Sequence, residues 1–178
     1  GKRWSETMAT SYGRVYGIDV RIARLFKVYG PRMALFDGRM IPDSIADALD
    51  GKDLVIYGDG SFRTTLTYVT DAIDGMVRMM EAKEPTGIVN IGSDYDIRIL
   101  DVIEKIIELT GSSSKLVYEE AIPFLHDPVL PNLEKAKALG WIPLVSLEQG
   151  LAKTIEYTTA HKGLVSPALG QDDDTPET

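Results

Sequence analysis

The stretch between Arg21 and Arg32 ends in polar groups suited to binding a ligand. Apolar residues alternate along it until a Gly-Pro turn, a pattern typical of a strand that leads into a loop. Ligands of parallel α/β sheets bind beyond the carboxyl ends of the strands. Lys27, Tyr29 and Arg32 are therefore placed where a cofactor or substrate would be met, although an ordinary strand-to-loop junction gives the same pattern.

A glycine-rich turn, an aromatic strand end and the histidines are weaker candidates. Gly58-Asp-Gly-Ser61 could cradle a phosphate, but it lacks the Lys-Ser/Thr pair of a Walker loop, and a simple turn is favoured. Tyr57 either covers a flat ring or fills the core. His126 and His161 lack carboxylate or cysteine companions at ligand spacing, so we expect no metal site.

Composition and charge restrict the classes of function. The 178 residues carry 19 Lys and Arg against 27 Asp and Glu, a net charge of −8, and no basic patch typical of nucleic-acid binding is visible. The absence of cysteine excludes disulfides and thiolate metal sites. Because no long apolar span or leader pattern is present, we expect no membrane partner and a cytoplasmic location.

Helical and strand patterns alternate along the chain. Helices are predicted at 4–15, 42–49, 71–82, 99–109, 132–138 and 147–158, and strands at 20–26, 54–57, 66–69, 89–92 and 115–118. The strand at 20–26 is expected to find its parallel partners only in preceding sequence. Asp71 and Asp74 are expected to favour the positive end of a helix dipole, and Trp141 to anchor the core.

Seven short motifs follow one another along the chain. They are Gly1-Lys2-Arg3, Arg24-Leu-Phe-Lys-Val-Tyr-Gly-Pro-Arg-Met33, Asp37-Gly-Arg-Met-Ile41, Ile56-Tyr-Gly-Asp-Gly-Ser61, Tyr68-Val-Thr-Asp71, Val89-Asn-Ile-Gly92 and Lys137-Ala-Leu-Gly-Trp141. In this order they resemble the carboxyl-terminal half of extended short-chain dehydrogenases/reductases that act on nucleotide sugars. The likeness is strongest to the UDP-glucuronate decarboxylases, with dTDP-glucose 4,6-dehydratases and UDP-sugar 4-epimerases as near relatives.

The resemblance implies an α/β fold: the end of a Rossmann-type parallel sheet followed by a small α/β substrate-binding domain. Residues 1–36 would supply the last helix and strand of the NAD-binding domain, mixed with the substrate domain from Lys27 onward. Residues 37–162 would be mainly substrate domain, with one or more elements returning to the Rossmann sheet. Residues 163–178 would form a flexible acidic tail, as their polar composition also indicates.

The resemblance also implies an NAD-dependent reaction. Lys2 matches the lysine of a Tyr-x-x-x-Lys motif whose tyrosine would precede Gly1, so Lys2 would be catalytic and would bind NAD together with Phe26 and Val28. An ammonium group beside a phenol lowers the phenol's pKa, which lets it take a hydroxyl proton while NAD accepts a hydride. Oxidation at C4 of the sugar would then permit decarboxylation, the expected branch, or dehydration or epimerisation.

The same resemblance implies a substrate site and an assembly. The substrate-binding residues would be Lys27, Arg32, Arg39, Met40, Ile41, Tyr57 and Arg63. The full-length enzyme would be a homodimer, and the 178-residue chain alone would be inactive.

The chain departs from the family pattern at three places. Lys27 stands where relatives have Asn, Thr64 where they have a phosphate-binding Arg, and Val129-Leu-Pro-Asn132 where they have Arg-x-Pro-Asp. Two expected phosphate arginines are therefore missing, and Lys27 and Arg63 are predicted to supply the replacement charge. A different substrate, or a degenerate, non-catalytic protein that binds nucleotide sugars or acts as a scaffold, is the alternative.

Overall fold

The computed structural model describes residues 1–123 and 130–162. The predicted tail at 163–178, His126 and Val129 lie outside the described residues. The helices are α1 (Lys2–Tyr16), α2 (Met40–Leu49), α3 (Val69–Glu81), α4 (Ile99–Thr110), α5 (Glu134–Ala138) and α6 (Leu147–His161). The strands are β1 (Ile22–Leu25), β2 (Val28–Tyr29), β3 (Leu54–Tyr57), β4 (Arg63–Thr64), β5 (Thr67–Tyr68), β6 (Ile88–Ile91), β7 (Ile97–Arg98) and β8 (Leu116–Glu119).

The described residues divide into two compact units, each built from three segments of the chain. The first unit contains residues 1–29, 63–97 and 130–147, and the second contains residues 30–62, 98–123 and 148–162. The domain boundaries expected from the sequence stay a prediction. None of the helices in the described part of the chain combines the length and the apolar content needed to span a membrane.

Parallel strand pairs organise the first unit. β1 pairs with β6 in the register Ile22 to Ile88, and β2 pairs with β5 in the register Val28 to Thr67. The expectation that β1 finds parallel partners only in preceding sequence is therefore wrong, because β6 returns to it. The helix α3 lies between β5 and β6 in the chain and brings the chain back to β1.

The core of the first unit forms where α3, α5 and β6 meet. Its buried residues are Ala72, Met79, Val89, Ile91, Leu133, Ala136 and Trp141. Gly75 allows the close approach of α3 to this core, since a Cβ at that position would lie 2.9 Å from Ile91 Cδ1 and 3.1 Å from Trp141 Nε1. The predicted anchoring role of Trp141 is confirmed, because this side chain is 1% exposed.

Asp71 does more than complement a helix dipole. Its backbone carbonyl accepts a hydrogen bond from Trp141 Nε1 at 2.8 Å, and its Oδ2 accepts hydrogen bonds from the backbone N–H groups of Leu144 and Val145 at 3.1 and 3.0 Å. The carboxylate thus ties the segment after Trp141 to the first turn of α3. Asp74, one turn further along, pairs with Arg78 at 2.7 Å on the exposed face.

The second unit contains α2, α4, α6 and the parallel pair β3–β8. Leu54 and Ile56 of β3 point into the core, and Val55 and Tyr57 point away from it. The segment after β3 is a turn, in which the Ser61 N–H donates to Asp59 Oδ1 at 2.9 Å. Gly60 is required there, because its φ is +75° and a Cβ would lie 3.1 Å from Leu100 Cβ.

We predict that Asp71→Ala lowers the free energy of unfolding of the full-length protein by about 2–3 kcal/mol, because two backbone N–H groups lose their acceptor. The matched change Asp74→Ala removes only an exposed i,i+4 pair and should cost at most about 0.5 kcal/mol. Urea denaturation of both variants measures the difference. Equal losses would contradict the tie between Asp71 and the segment after Trp141.

Candidate functional site

The carboxyl end of β1 carries the first group of predicted site residues. The Phe26 N–H extends the strand ladder by donating to the Ile91 carbonyl at 3.0 Å, so this amide is already used. The Val28 side chain packs against the core cluster, so any ligand contact at this residue would use its backbone. Between them, Lys27 adopts φ +38°, a left-handed conformation that is uncommon and costly for a residue with a Cβ.

The Lys27 side chain reaches Thr64. Its Nζ donates to Thr64 Oγ1 at 2.8 Å, and Thr64 itself is 1% exposed. Partial burial lowers the pKa of the Lys27 ammonium group, because the charged form loses solvation. Two of the three positions at which this chain departs from the family pattern, 27 and 64, are therefore in direct contact.

Arg63 lies next to Thr64 but directs its charge elsewhere. Its Nε donates to Asp96 Oδ2, and its Nη2 donates to the Asp96 carbonyl at 3.0 Å. An anion approaching Arg63 would meet a guanidinium group that Asp96 already neutralises. Lys27 is therefore the better candidate of the two for replacing the missing charge.

Lys2 is the first residue of α1 and is exposed. Its side chain makes no hydrogen bond or ion pair within residues 1–123 and 130–162. No residue of α1 is buried. An ammonium group with three open donor positions can bind hydroxyl groups or stabilise a neighbouring phenolate.

The remaining predicted residues belong to the second unit. Arg32 is exposed and adopts φ +68°, and Arg39 pairs with Asp37 at 3.1 Å. Ile41 is buried in α2, so any ligand contact there would use the backbone. Met40 precedes it in the first turn and is half-buried.

Tyr57 does not fill the core. It ends β3 and is 48% exposed, opposite Glu119 of β8. Its ring is therefore available to cover a flat ligand group, which was one of the two alternatives drawn from the sequence.

Sequence reasoning missed Asp43. This residue follows the predicted substrate residues in the first turn of α2, and its carboxylate accepts hydrogen bonds from the Phe36 and Gly38 N–H groups at 2.6 and 2.9 Å. No motif identifies it, since an acidic residue in a first helical turn is common. In the part of the chain that the structure describes, no group of three His, Asp or Glu side chains could hold a metal ion.

Comparison with known proteins places these features in a family. Residues 1–92, more than half of the chain, match the family described as NAD dependent epimerase/dehydratase. The chain belongs to this family. Its cofactor is NAD, as the resemblance predicted.

One sequence relative and two solved structures show the likeness. The chain is 40% identical over 152 residues to UDP-glucuronic acid decarboxylase 3 of Arabidopsis thaliana, covering 85% of this chain and 44% of that protein. UDP-glucose 4-epimerase from Thermotoga maritima, solved with UDP-glucose, gives a TM-score of 0.84 at 29% identity, covering 90% of this chain and 52% of that one. dTDP-glucose 4,6-dehydratase from Bacillus anthracis, solved with NAD, gives 0.77 at 28% identity, covering 89% and 50%.

These findings confirm the predicted family and the predicted α/β fold. The chain spans less than half the length of the curated decarboxylase that it matches.

Proposed function

We propose that this chain is the carboxyl-terminal half of an NAD-dependent enzyme that modifies nucleotide sugars through a 4-keto intermediate, by UDP-glucuronate decarboxylation. The observation that carries the proposal is the Lys27–Thr64 contact, since it places a cation beside position 64, where relatives have a phosphate-binding arginine. The 40% identity to a UDP-glucuronic acid decarboxylase favours decarboxylation over dehydration or epimerisation.

The residues present fit NAD in part. Lys2 is an exposed cation in the first turn of α1, suited to bonding the hydroxyl groups of a ribose, whereas the Phe26 amide is already bound to Ile91. Phe26 would therefore contribute its half-buried side chain, and Val28 its backbone. When bound, NAD accepts a hydride from C4 of the sugar and returns it later in the same turnover.

The positive charge of Lys2 would also assist proton transfer. A catalytic tyrosine in front of this chain would lose its proton more readily beside the Lys2 ammonium group, because the cation stabilises the phenolate. That tyrosine would then take the proton of the sugar's C4 hydroxyl group. With the hydride of C4 also removed, the C4 ketone would accept the electron pair of the bond between C5 and its carboxylate as an enolate. CO2 would leave, and C5 would then take up a proton.

Lys27 would bind the diphosphate of the substrate. A diphosphate that leaves water needs cationic or N–H partners, and an Nζ held on Thr64 is positioned before the ligand arrives. Partial burial lowers the pKa of Lys27, and a neighbouring phosphate would raise that pKa again. Phosphate binding would therefore favour the charged form of Lys27. In the second unit, we propose that Tyr57 stacks on the base and that Arg32, Arg39, Met40 and Ile41 bind the substrate.

A binding protein without catalysis is the second candidate function. Thr64 stands where relatives have a phosphate arginine, and Arg63 is held by Asp96. Such a protein would bind nucleotide sugars and turn none of them over.

We also propose that the full-length protein is a homodimer that pairs through α1. The apolar side chains of Trp4, Tyr12 and Tyr16 are 67%, 54% and 65% exposed, and an exposed aromatic face of this kind is typical of an interface. Inactivity of the 178-residue chain alone and a cytoplasmic location stay predictions.

We expect the full-length protein to convert UDP-glucuronic acid with release of CO2 and no net consumption of NAD. Mass spectrometry of the products measures this directly. An isomer of unchanged mass would indicate epimerisation, and loss of water from dTDP-glucose would indicate dehydration. Binding of these nucleotide sugars without any turnover would favour the second candidate function.

We expect Lys27→Ala to weaken UDP binding by about 1.5–3 kcal/mol and Tyr57→Ala by about 1–3 kcal/mol, from loss of a charge-assisted contact and of a stacked ring. Calorimetric titration of UDP and dTDP into the full-length protein measures both. Because only protonated Lys27 attracts phosphate, UDP affinity should fall as the pH rises through its lowered pKa, and this dependence should vanish in Lys27→Ala.

The matched control for the Lys27 variant is Lys83→Ala, which removes the ammonium group of another exposed lysine. This variant should bind UDP as the parent does. If the parent binds neither nucleotide, or if the Lys27 and Tyr57 variants bind as tightly as the parent, the nucleotide-sugar proposal is wrong.

We expect Trp4→Glu to convert the full-length dimer to monomers, because a carboxylate would be buried without a partner in the α1 interface. Sedimentation velocity measures the mass. Met80→Glu, the same kind of change at an exposed apolar residue of α3, is the control and should leave the dimer intact. A dimer that persists in Trp4→Glu would rule out pairing through this face of α1.

A further inference from the structure

The segment that precedes α2 holds an unusual backbone conformation. Phe36 adopts φ +60° and Gly38 adopts φ +83°. Glycine occupies this left-handed region readily, whereas a bulky aromatic residue does so rarely and at a cost in free energy. Phe36 is also 47% exposed, so core packing does not hold it in place.

The Asp43 carboxylate holds both residues. Oδ1 accepts the Phe36 N–H at 2.6 Å, and Oδ2 accepts the Gly38 N–H at 2.9 Å. The short lengths are typical of hydrogen bonds to a charged acceptor. The amide of Asp37, which lies between the two, donates no hydrogen bond within residues 1–123 and 130–162.

The Asp43 side chain binds the segment that precedes α2 and does not cap α2 itself. α2 begins at Met40 with Arg39 as its N-cap, and no side chain caps it. The Asp43 N–H donates to the Arg39 carbonyl at 3.2 Å, so the backbone and the side chain of this one residue together close the segment from Phe36 to Arg39 into a loop. Arg39 is the last residue of that loop and directly follows Gly38, whose N–H group Asp43 binds.

We propose that Asp43 is a positioning residue that clamps the loop 36–39 in the conformation that binds the nucleotide sugar. The inference rests on the proposed function, which assigns Arg39 and Met40 to the substrate site. Without the clamp, Phe36 would leave the left-handed region and the loop would populate other conformations. The apparent affinity for substrate would then fall in proportion to the fraction of molecules that keep the binding conformation.

The pKa of the Asp43 carboxyl group lies above its ordinary value, chiefly because partial burial disfavours the charged form. The two loop N–H groups favour the charged form, and the neighbouring charges of Asp37 and Asp47 oppose it. Asp37 is itself paired with Arg39, and Asp47 lies 3.6 Å from Lys52 Nζ.

Amide hydrogen exchange of the full-length protein tests the clamp without any substitution. The Phe36 and Gly38 amides should exchange at least about tenfold more slowly than the Asp37 amide between them, because only those two are hydrogen-bonded. Exchange of all three at the same rate would overturn the inference whether or not the protein binds nucleotides.

Substitution then tests the role in binding. Asp43→Asn should speed exchange at Phe36 and Gly38 and weaken UDP binding about tenfold, with NAD affinity unchanged. The control Asp74→Asn makes the same change in α3, where the carboxylate pairs with Arg78, and should alter neither the exchange at Phe36 and Gly38 nor the UDP affinity.

The outcomes separate the inference from the proposed function. If the unsubstituted protein binds no UDP, the proposed function and the binding role of Asp43 are both wrong, even where slow exchange at Phe36 and Gly38 shows that the clamp exists. If UDP binds and Asp43→Asn binds it as tightly as the parent, the positioning role alone is overturned. An Asp43→Asn variant that loses NAD affinity along with UDP affinity would indicate general unfolding and would also overturn it.

Discussion

The parallel pairing of β1 with β6 is the constraint on which the first unit depends. Parallel strands cannot be joined by a tight turn, and α3 is the helix that brings the chain back to β1 at β6. The helix then needs a close fit on the sheet, which Gly75 allows by leaving room for Ile91 and Trp141. Because both strands run in the same direction, Phe26 and Gly92 lie side by side at their carboxyl ends, where a Cβ at Gly92 would approach Phe26 Cβ to 2.8 Å. The strand order thus determines where a ligand can approach.

Polar groups at this edge are held by other polar groups of the same unit. Thr64 is almost fully buried, and burying its hydroxyl group without a partner would cost free energy. The Lys27 ammonium group satisfies it at 2.8 Å and is itself partly desolvated. A larger and positively charged residue in place of Thr64 would disrupt this contact, so the residue types at 27 and 64 depend on each other. The departures from the family pattern at positions 27 and 64 are better understood as one exchange than as two separate changes.

Much of this fold could be predicted from the sequence, because apolar periodicity reports which face of an element is buried. The helix expected at 99–109 is observed as Ile99–Thr110, and the strand expected at 54–57 is observed as Leu54–Tyr57. The pairing of β1 with β6 could not be predicted, since periodicity carries no information about which strands become neighbours. The contacts of Asp71 with Leu144 and Val145 were hidden for the same reason, as they join residues far apart in the chain.

For the site too, local patterns could be used for prediction, whereas contacts between distant residues could not be predicted. Residue types at strand ends and in family motifs predict Lys2, Lys27 and Tyr57 as site residues, because those positions follow from local pattern and resemblance. The partner of Lys27 and the clamp of Asp43 could not be predicted, since each depends on a backbone conformation that the residue type does not favour.

Backbone strain in this chain coincides with the segments proposed to bind substrate, and there is a physical reason for this. Among the described residues, Lys27, Arg32 and Phe36 are the non-glycine residues with positive φ, and all three lie in or beside the motifs assigned to substrate. Each conformation costs free energy that the surrounding structure must offset. For Lys27 the offset includes the bond to Thr64, and for Phe36 it is the bond to Asp43. Such conformations hold side chains and amides in orientations that a relaxed loop would adopt only part of the time, so the ordering cost is met in folding and not again in binding.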